Sequence, residues 1–277
     1  MTAIHRRTRT TDEGVDESGA VPIPRLDTSA TASGGSSGMR DLGIEPRVVV
    51  MALFACCTSL TVAGVVAAWF EDQQQWKYQL FELNTEANVP TWFSAAQLTL
   101  AALAAWSCGA MHRSRGLPGV GSWRLVAASL LFVSADEVAQ FHEQISFQVR
   151  NSLDTDGVLR FAWVIPYGVA AVVVAGLLFR WWQSLPRVTR RSIVVCAVAF
   201  VVGALGLELI EGAYESWLGK DFGLRALTVV EEALEMFAVA AVIGVFVRHL
   251  CQVSEMAPVG ESVRAAGTAS GRRPASD

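Results

Sequence analysis

The chain has 277 residues, of which 52% are hydrophobic and only 17% are charged, and its formal net charge is −4. Soluble domains are about 45–50% apolar and about 25% charged, so this composition favours a membrane protein. There is no basic stripe and no glycine-rich phosphate loop, which excludes the usual nucleic-acid-binding classes. The five cysteines form no CxxC pair, and this argues against an exported disulfide framework.

Both ends of the chain are predicted to be disordered cytoplasmic tails. Residues 1–46 are rich in Thr, Ser, Gly and charged residues and cannot bury enough apolar surface to become ordered. No apolar stretch begins before residue 48, so we do not expect a signal peptide. Residues 252–277 have a similar composition and are predicted to be the second tail.

Residues 47–251 are predicted to form one all-α domain, a polytopic bundle of six transmembrane helices. A helix needs about 20 mostly apolar residues to cross a hydrocarbon layer of about 30 Å. Six runs meet this requirement, at about 48–70, 91–111, 123–145, 161–182, 192–214 and 226–250. The lipid bilayer is therefore the first predicted partner of the chain.

Basic loops alternate with non-basic loops along the six predicted spans. Arginines stand before the first run, between the second and third, between the fourth and fifth, and after the sixth, whereas the remaining loops are acidic or mixed. The positive-inside rule then places both termini in the cytoplasm of a multi-pass protein of the bacterial plasma membrane.

Three segments interrupt the apolar pattern with carboxylates. The third run ends in residues 134–143, the fifth ends in residues 208–215, and the sixth begins with residues 230–235. In the predicted topology all three segments reach the outer half of the bilayer. They contain nine carboxylates and one histidine, namely Asp136, Glu137, His142, Glu143, Glu208, Glu211, Glu215, Glu231, Glu232 and Glu235.

So many acids inside a membrane must line an enclosed or aqueous pocket, because each costs about 2.5–3.5 kcal/mol at a helix centre. A divalent ion would neutralise several of them at once. Carboxylates with one imidazole suit Zn, Fe or Mn, whereas all-oxygen ligation suits Ca or Mg. The predicted ligands are Asp136, Glu137, His142, Glu143, Glu208, Glu211, Glu232 and Glu235. Glu143, Glu211 and Glu215 have a simpler alternative, which is solvation in the headgroup zone.

The spacing does not fit a dinuclear carboxylate site, because the chain has no Glu-x-x-His unit. On a regular helix His142 would also point about 100–120° away from Asp136 and Glu143. A single metal ion, or a helix that is unwound near residue 142, fits the sequence better.

The motif Asp-Glu-Val-Ala-Gln-Phe-His-Glu at 136–143, followed by Glu-x-x-Glu at 208–211 and Glu-Glu-x-x-Glu at 231–235, resembles a bacterial family of multi-pass membrane proteins without an assigned activity. The resemblance covers the six spans and implies no reaction.

Three functions remain open at this point. The first is a metal-dependent membrane enzyme, a hydrolase or oxidoreductase, that acts on a lipid or lipid-linked substrate, with a metal-activated water and a glutamate as general base. The second is a carrier whose acids bind protons or cations. The third is a structural or sensory subunit. The sequence assigns no catalytic residue.

Overall fold

The structure, a computed structural model, describes residues 45–70, 79–83, 85, 87–153 and 163–255. The predicted tails lie outside this part, apart from Glu45, Pro46 and residues 252–255. Residues 154–160, in the loop between the third and fourth predicted spans, also lie outside it.

The described residues form seven helices and no strand, which confirms the all-helical prediction. In chain order they are α1 (Pro46–Phe70), α2 (Val89–Ser114), α3 (Val120–Ala139), α4 (Phe141–Leu153), α5 (Val164–Ser184), α6 (Arg187–Leu218) and α7 (Phe222–Ser254). Helices α1, α2, α5 and α6 are long and apolar enough to cross a membrane. These four helices indicate a membrane protein.

The prediction of six helices is wrong in one place, since the third predicted span is two helices. Helix α3 ends at Ala139, and Gln140 has a left-handed backbone with φ 55° and ψ 40°. A non-glycine residue in this conformation costs roughly 1–2 kcal/mol. The cost is offset because the carboxylate of Asp136 accepts the backbone N–H of His142 in the first turn of α4, at 3.0 Å.

Helix α7 is the central helix of the bundle and packs against α1, α2 and α6, while α2 also packs along α3. Its buried face includes Met236, Val239, Ile243 and Phe246. Because α7 passes from one end of the bundle to the other, it contributes side chains to the sites at both ends.

Large apolar side chains are exposed on the outside of the bundle. On α5, Val169, Val172, Val173 and Leu177 are all more than half exposed. Apolar patches of this extent are unusual on proteins that live in water, whereas lipid tails cover them at no cost. The outward surface of α5 therefore agrees with the hydropathy of the chain.

Candidate functional site

Asp136 holds the junction between α3 and α4. Its side chain is buried, with 7% exposure. The Oδ1 atom accepts the backbone N–H of His142 at 3.0 Å and the hydroxyl of Tyr167 at 2.9 Å. The Oδ2 atom contacts Nδ1 of His142 at 3.1 Å. The break at Gln140, two residues before His142, brings together two side chains that a regular helix would hold apart.

The contact with Asp136 also determines which nitrogen of His142 carries the proton. A carboxylate oxygen can only accept, so Nδ1 of His142 donates. In the neutral ring Nε2 then carries the lone pair and can take up a proton or bind a cation. When the ring is doubly protonated, the same contact is an ion pair.

Two aromatic residues at the start of α5 connect this pair to α6. The ring of Trp163 lies 5.1 Å from that of His142 and 5.0 Å from that of Tyr167, measured between centroids. Its indole Nε1–H donates to Oε1 of Glu208 at 3.4 Å. Trp163 therefore contacts both His142 and Glu208.

Helix α6 changes its winding next to the site, because Val202–Leu207 is π-helical and ends directly before Glu208. Such turns occur often at functional sites. At Gly203 the helix lies close to α7, since a Cβ atom there would be 2.9 Å from Cγ of Glu235 and 3.4 Å from the carbonyl oxygen of Glu231. The glycine permits the approach that places α7 acids against α6.

Glu211 of α6 and Glu231 of α7 form a buried contact, and each is 6% exposed. Their carboxyl groups are close enough to interact directly. Oε2 of Glu211 accepts the hydroxyl of Thr228 at 3.0 Å, while its Oε1 has no hydrogen-bond donor among the described residues. Because two carboxylates can only accept, this contact needs a proton to become a hydrogen bond.

Electrostatic interactions connect the Asp136–His142 pair and the Glu211–Glu231 pair into one group. Glu208 interacts with Glu211 and Glu231, and Glu235 interacts with Glu208 and His142. Glu137 and Glu232 also act on Glu235. We call this group the acid cluster, and it consists of Asp136, Glu137, His142, Glu208, Glu211, Glu231, Glu232 and Glu235.

Residues 47–250 match a family model described as a domain of unknown function (DUF8692). The chain belongs to this family. No curated protein and no solved structure is similar enough to the chain to be matched. The match covers the whole predicted membrane domain, and it confirms the resemblance to a family without an assigned activity.

Most of the residues predicted as ligands fall in the acid cluster, and Glu143 is the exception. Glu143 is exposed in the first turn of α4. Among the side chains of the described residues, no three of His, Cys, Asp or Glu have the spacing of a ready metal site. Metal ligation by these residues stays a prediction.

Sequence reasoning missed the neutral partners of the acids, Tyr167, Trp163 and Thr228. Tyr167 and Thr228 follow the first turns of their helices and read as ordinary interfacial residues. A useful signal would have been their predicted depth, since all three stand at the same end of the bundle as the acidic segments.

A second buried polar site, at the opposite end of the bundle, was also missed. Nε2 of His112 on α2 lies 3.0 Å from Nε2 of His249 on α7, and Nδ1 of His112 contacts the carbonyl oxygen of Pro118 at 2.8 Å. We call these two side chains the imidazole pair. Since the carbonyl only accepts, His112 donates from Nδ1, and His249 must donate from Nε2 to His112. Nδ1 of His249 then carries a buried lone pair, without a partner among the described residues.

Proposed function

We propose that this membrane protein binds and transfers protons through the acid cluster, and that it works as a proton- or cation-coupled carrier. The observation that carries the proposal is the contact between Glu211 and Glu231, in which two buried carboxyl groups meet without a donor between them. Two carboxyl groups that share a site cannot both stay ionised, so the pair holds a proton.

The rest of the cluster extends this site across three parts of the bundle. The interactions run from the Asp136–His142 pair through Glu235 and Glu208 to the Glu211–Glu231 pair. The hydrogen-bond partners of the carboxylates include the neutral donors Tyr167, Trp163 and Thr228. A neutral donor stabilises a carboxyl group in either protonation state, which suits a group that gains and loses a proton.

The proposal includes the predicted topology, with six spans, both termini in the cytoplasm and the acid cluster in the outer half of the membrane. This topology rests on the alternation of basic and non-basic loops in the sequence. Single cysteines at Ser184 and Lys220, in a background without the five native cysteines, test it. We expect an impermeant thiol reagent added to intact cells to label the Lys220 variant and not the Ser184 variant. The reverse labelling would invert the topology.

Infrared spectroscopy of the purified protein tests the shared proton. We expect a carbonyl stretch of a protonated carboxylic acid at neutral pH, shifted in D₂O and removed by the double substitution Glu211→Gln and Glu231→Gln. Glu143→Gln is the matched control, because it removes an exposed acid of the same end. A spectrum without a protonated acid in the unaltered protein would overturn the proposal.

Proton movement is tested in liposomes that contain a pH-sensitive dye. With an imposed membrane potential, we expect the pH of the lumen to change faster in liposomes that contain the unaltered protein than in protein-free liposomes. Glu231→Gln should stop this movement and Glu143→Gln should preserve it. If Glu231→Gln and the unaltered protein moved protons at equal rates, the proton of the Glu211–Glu231 pair would be a bound proton that is not transported.

A second candidate function is a divalent-metal site, with Zn, Fe or Mn, in a membrane enzyme that acts on a lipid or lipid-linked substrate. The orientation of His142 favours it, because ligating histidines usually donate their other ring N–H to a carboxylate. Here Asp136 supports the ring, and His142, Glu235 and Glu208 would be the ligands. The residues fit such a site in chemistry, although no three of His, Cys, Asp or Glu in the described part of the chain are arranged as a ready metal site. The metal would supply Lewis-acid activation of a water.

Chelation distinguishes the two candidates. If a metal is bound, elemental analysis should find about one divalent ion per chain, and a chelator should lower the thermal stability. Glu208→Gln and Glu235→Gln should then be destabilised and insensitive to the chelator. If the cluster holds protons, the same substitutions mimic protonated acids, so stability should be unchanged or higher with and without chelator.

A further inference from the structure

The end of the α2–α3 pair that lies away from the acid cluster carries a basic groove. Its volume is about 510 Å³, and it is lined by Trp106, Ala110, Arg113, Ser114 and Arg124. Arg113 lies in the last turn of α2, and Arg124 lies in the second turn of α3. The groove therefore opens at the level where these two helices leave the apolar layer.

Both guanidinium groups of the groove are available to a ligand. Arg113 and Arg124 are exposed, and no ion pair between them and an acid occurs among the described residues. Cζ of Arg124 lies 5.3 Å from the ring centroid of Trp106. This cation–π contact holds Arg124 against the groove wall, so less side-chain entropy is lost when a ligand binds.

An apolar stripe continues from the groove along the lipid-facing side of α2. Ala110, Trp106 and Leu103 precede Arg113 by three, seven and ten residues, which places them on the same face of the helix as Arg113. Trp106 is 54% exposed and Leu103 59%. From Arg113 to Leu103 the helix rises about 15 Å, which is half of a hydrocarbon layer of about 30 Å.

We propose that this groove binds an anionic phospholipid, with the phosphate between Arg113 and Arg124 and one acyl chain along Trp106 and Leu103. Two guanidinium groups match a phosphodiester in charge and in hydrogen-bond geometry. They disfavour the ammonium group of a zwitterionic headgroup, so the site selects for net negative charge. Inorganic phosphate has the same headgroup chemistry and gains nothing from the apolar stripe.

The experiment is native mass spectrometry of the full-length protein in detergent, with added phosphatidylglycerol, phosphatidylcholine or inorganic phosphate. We expect phosphatidylglycerol to bind more tightly than the other two. Arg113→Gln and Arg124→Gln should each weaken its binding roughly fivefold, and the double substitution about thirtyfold. Trp106→Ala should also weaken lipid binding, because it removes part of the stripe and the support of Arg124.

Arg191→Gln is the matched control, since Arg191 is an exposed arginine near the start of α6 and lies outside the groove. It should leave phosphatidylglycerol binding within twofold of the unaltered protein. Equal losses from Arg191→Gln and Arg113→Gln would overturn the proposal in favour of unspecific attraction. Inorganic phosphate binding as tightly as the lipid would overturn it in favour of a free-anion site. If the double substitution unfolds the protein, the two single substitutions decide the question.

Discussion

The two ends of the bundle each place histidine beside tryptophan, yet they surround it with different chemistry. At the acid cluster, His142 donates to the carboxylate of Asp136, so a second proton on the ring would form an ion pair. At the imidazole pair, His112 donates to a carbonyl group and accepts from His249. A second proton there would place positive charge beside another imidazole.

The aromatic residues around the histidines at the two ends also differ. The ring of His249 stacks on Trp123, with centroids 5.1 Å apart and an interplanar angle of 29°. Trp123 also contacts Trp181 and Phe246 and is 0% exposed. The imidazole pair is therefore part of a packed core, whereas His142 is part of a network of charges. The comparison shows how strongly the partners of a histidine determine what it can do.

The largest expected effect breaks the packed end. Trp123→Ala removes a fully buried side chain and leaves a cavity, so it should lower the free energy of unfolding by about 3–5 kcal/mol. Trp163→Ala at the acid cluster is the matched change, and it should cost less because Trp163 is 8% exposed whereas Trp123 is 0% exposed. Unfolding in mixed micelles with increasing dodecyl sulfate measures both. Equal losses would remove the distinction between a packed end and a charged end.

The second effect acts on the hydrogen bond that defines the acid cluster. Asp136→Asn keeps one acceptor for His142 and Tyr167 but turns an amide N–H₂ group toward the ring N–H of His142. Losing this bond to a carboxylate, or moving the ring proton of His142 to Nε2 so that Nδ1 accepts from the amide, should cost about 1–3 kcal/mol. The control is Asp221→Asn, because Asp221 also accepts a backbone N–H in the first turn of a helix but is exposed, and it should be close to neutral. An Asp136→Asn variant as stable as the control would show that the Asp136–His142 contact contributes nothing.

The acidic segments could be predicted because carboxylates stand out in apolar runs, and topology then placed them at one end. The break at Gln140 could not be located from local signals, since no glycine or proline marks it. The stabilising contact comes from the side chain of Asp136, four residues earlier. The imidazole pair could not be predicted either, because His112 and His249 are 137 residues apart and meet only through the packing of α2 on α7.

The third effect tests the close approach of α6 and α7 that the acid cluster requires. Gly203→Ala places a methyl group 2.9 Å from Cγ of Glu235, so Glu235 or the helices must move, at a cost of roughly 1–3 kcal/mol. Gly206→Ala is the control in the same π-helical turn, because its nearest neighbour, a side-chain atom of Val202, would be 3.8 Å away. The control should be neutral or slightly stabilising, since alanine favours helix.

The double substitution Gly203→Ala with Glu235→Ala sharpens this test. Removing the Glu235 side chain beyond Cβ removes the contact, so the two substitutions together should cost less than the sum of their separate effects. Additive losses would mean that Gly203 acts through the backbone of α6, and the packing of Glu235 against it would then be unimportant.

The smallest effect separates an exposed acid from the buried ones at the same end. Asp221 begins α7, where its Oδ1 accepts the N–H of Leu224 and its Oδ2 accepts the hydroxyl of Tyr214, each at 3.1 Å. The N–H of Leu224 holds the pKa of Asp221 below its ordinary value of 3.8. A lowered pKa in the folded state stabilises the fold above pH 3.8, and this contribution is lost as the pH falls through that value toward the folded pKa.

Asn caps a helix about as well as Asp but does not titrate. The stability of the unaltered protein relative to that of Asp221→Asn, measured by thermal unfolding from pH 6 to pH 3, should therefore be constant above about pH 5 and fall below it. A difference that instead changes between pH 5 and pH 6 would show that Asp221 is coupled to the acid cluster.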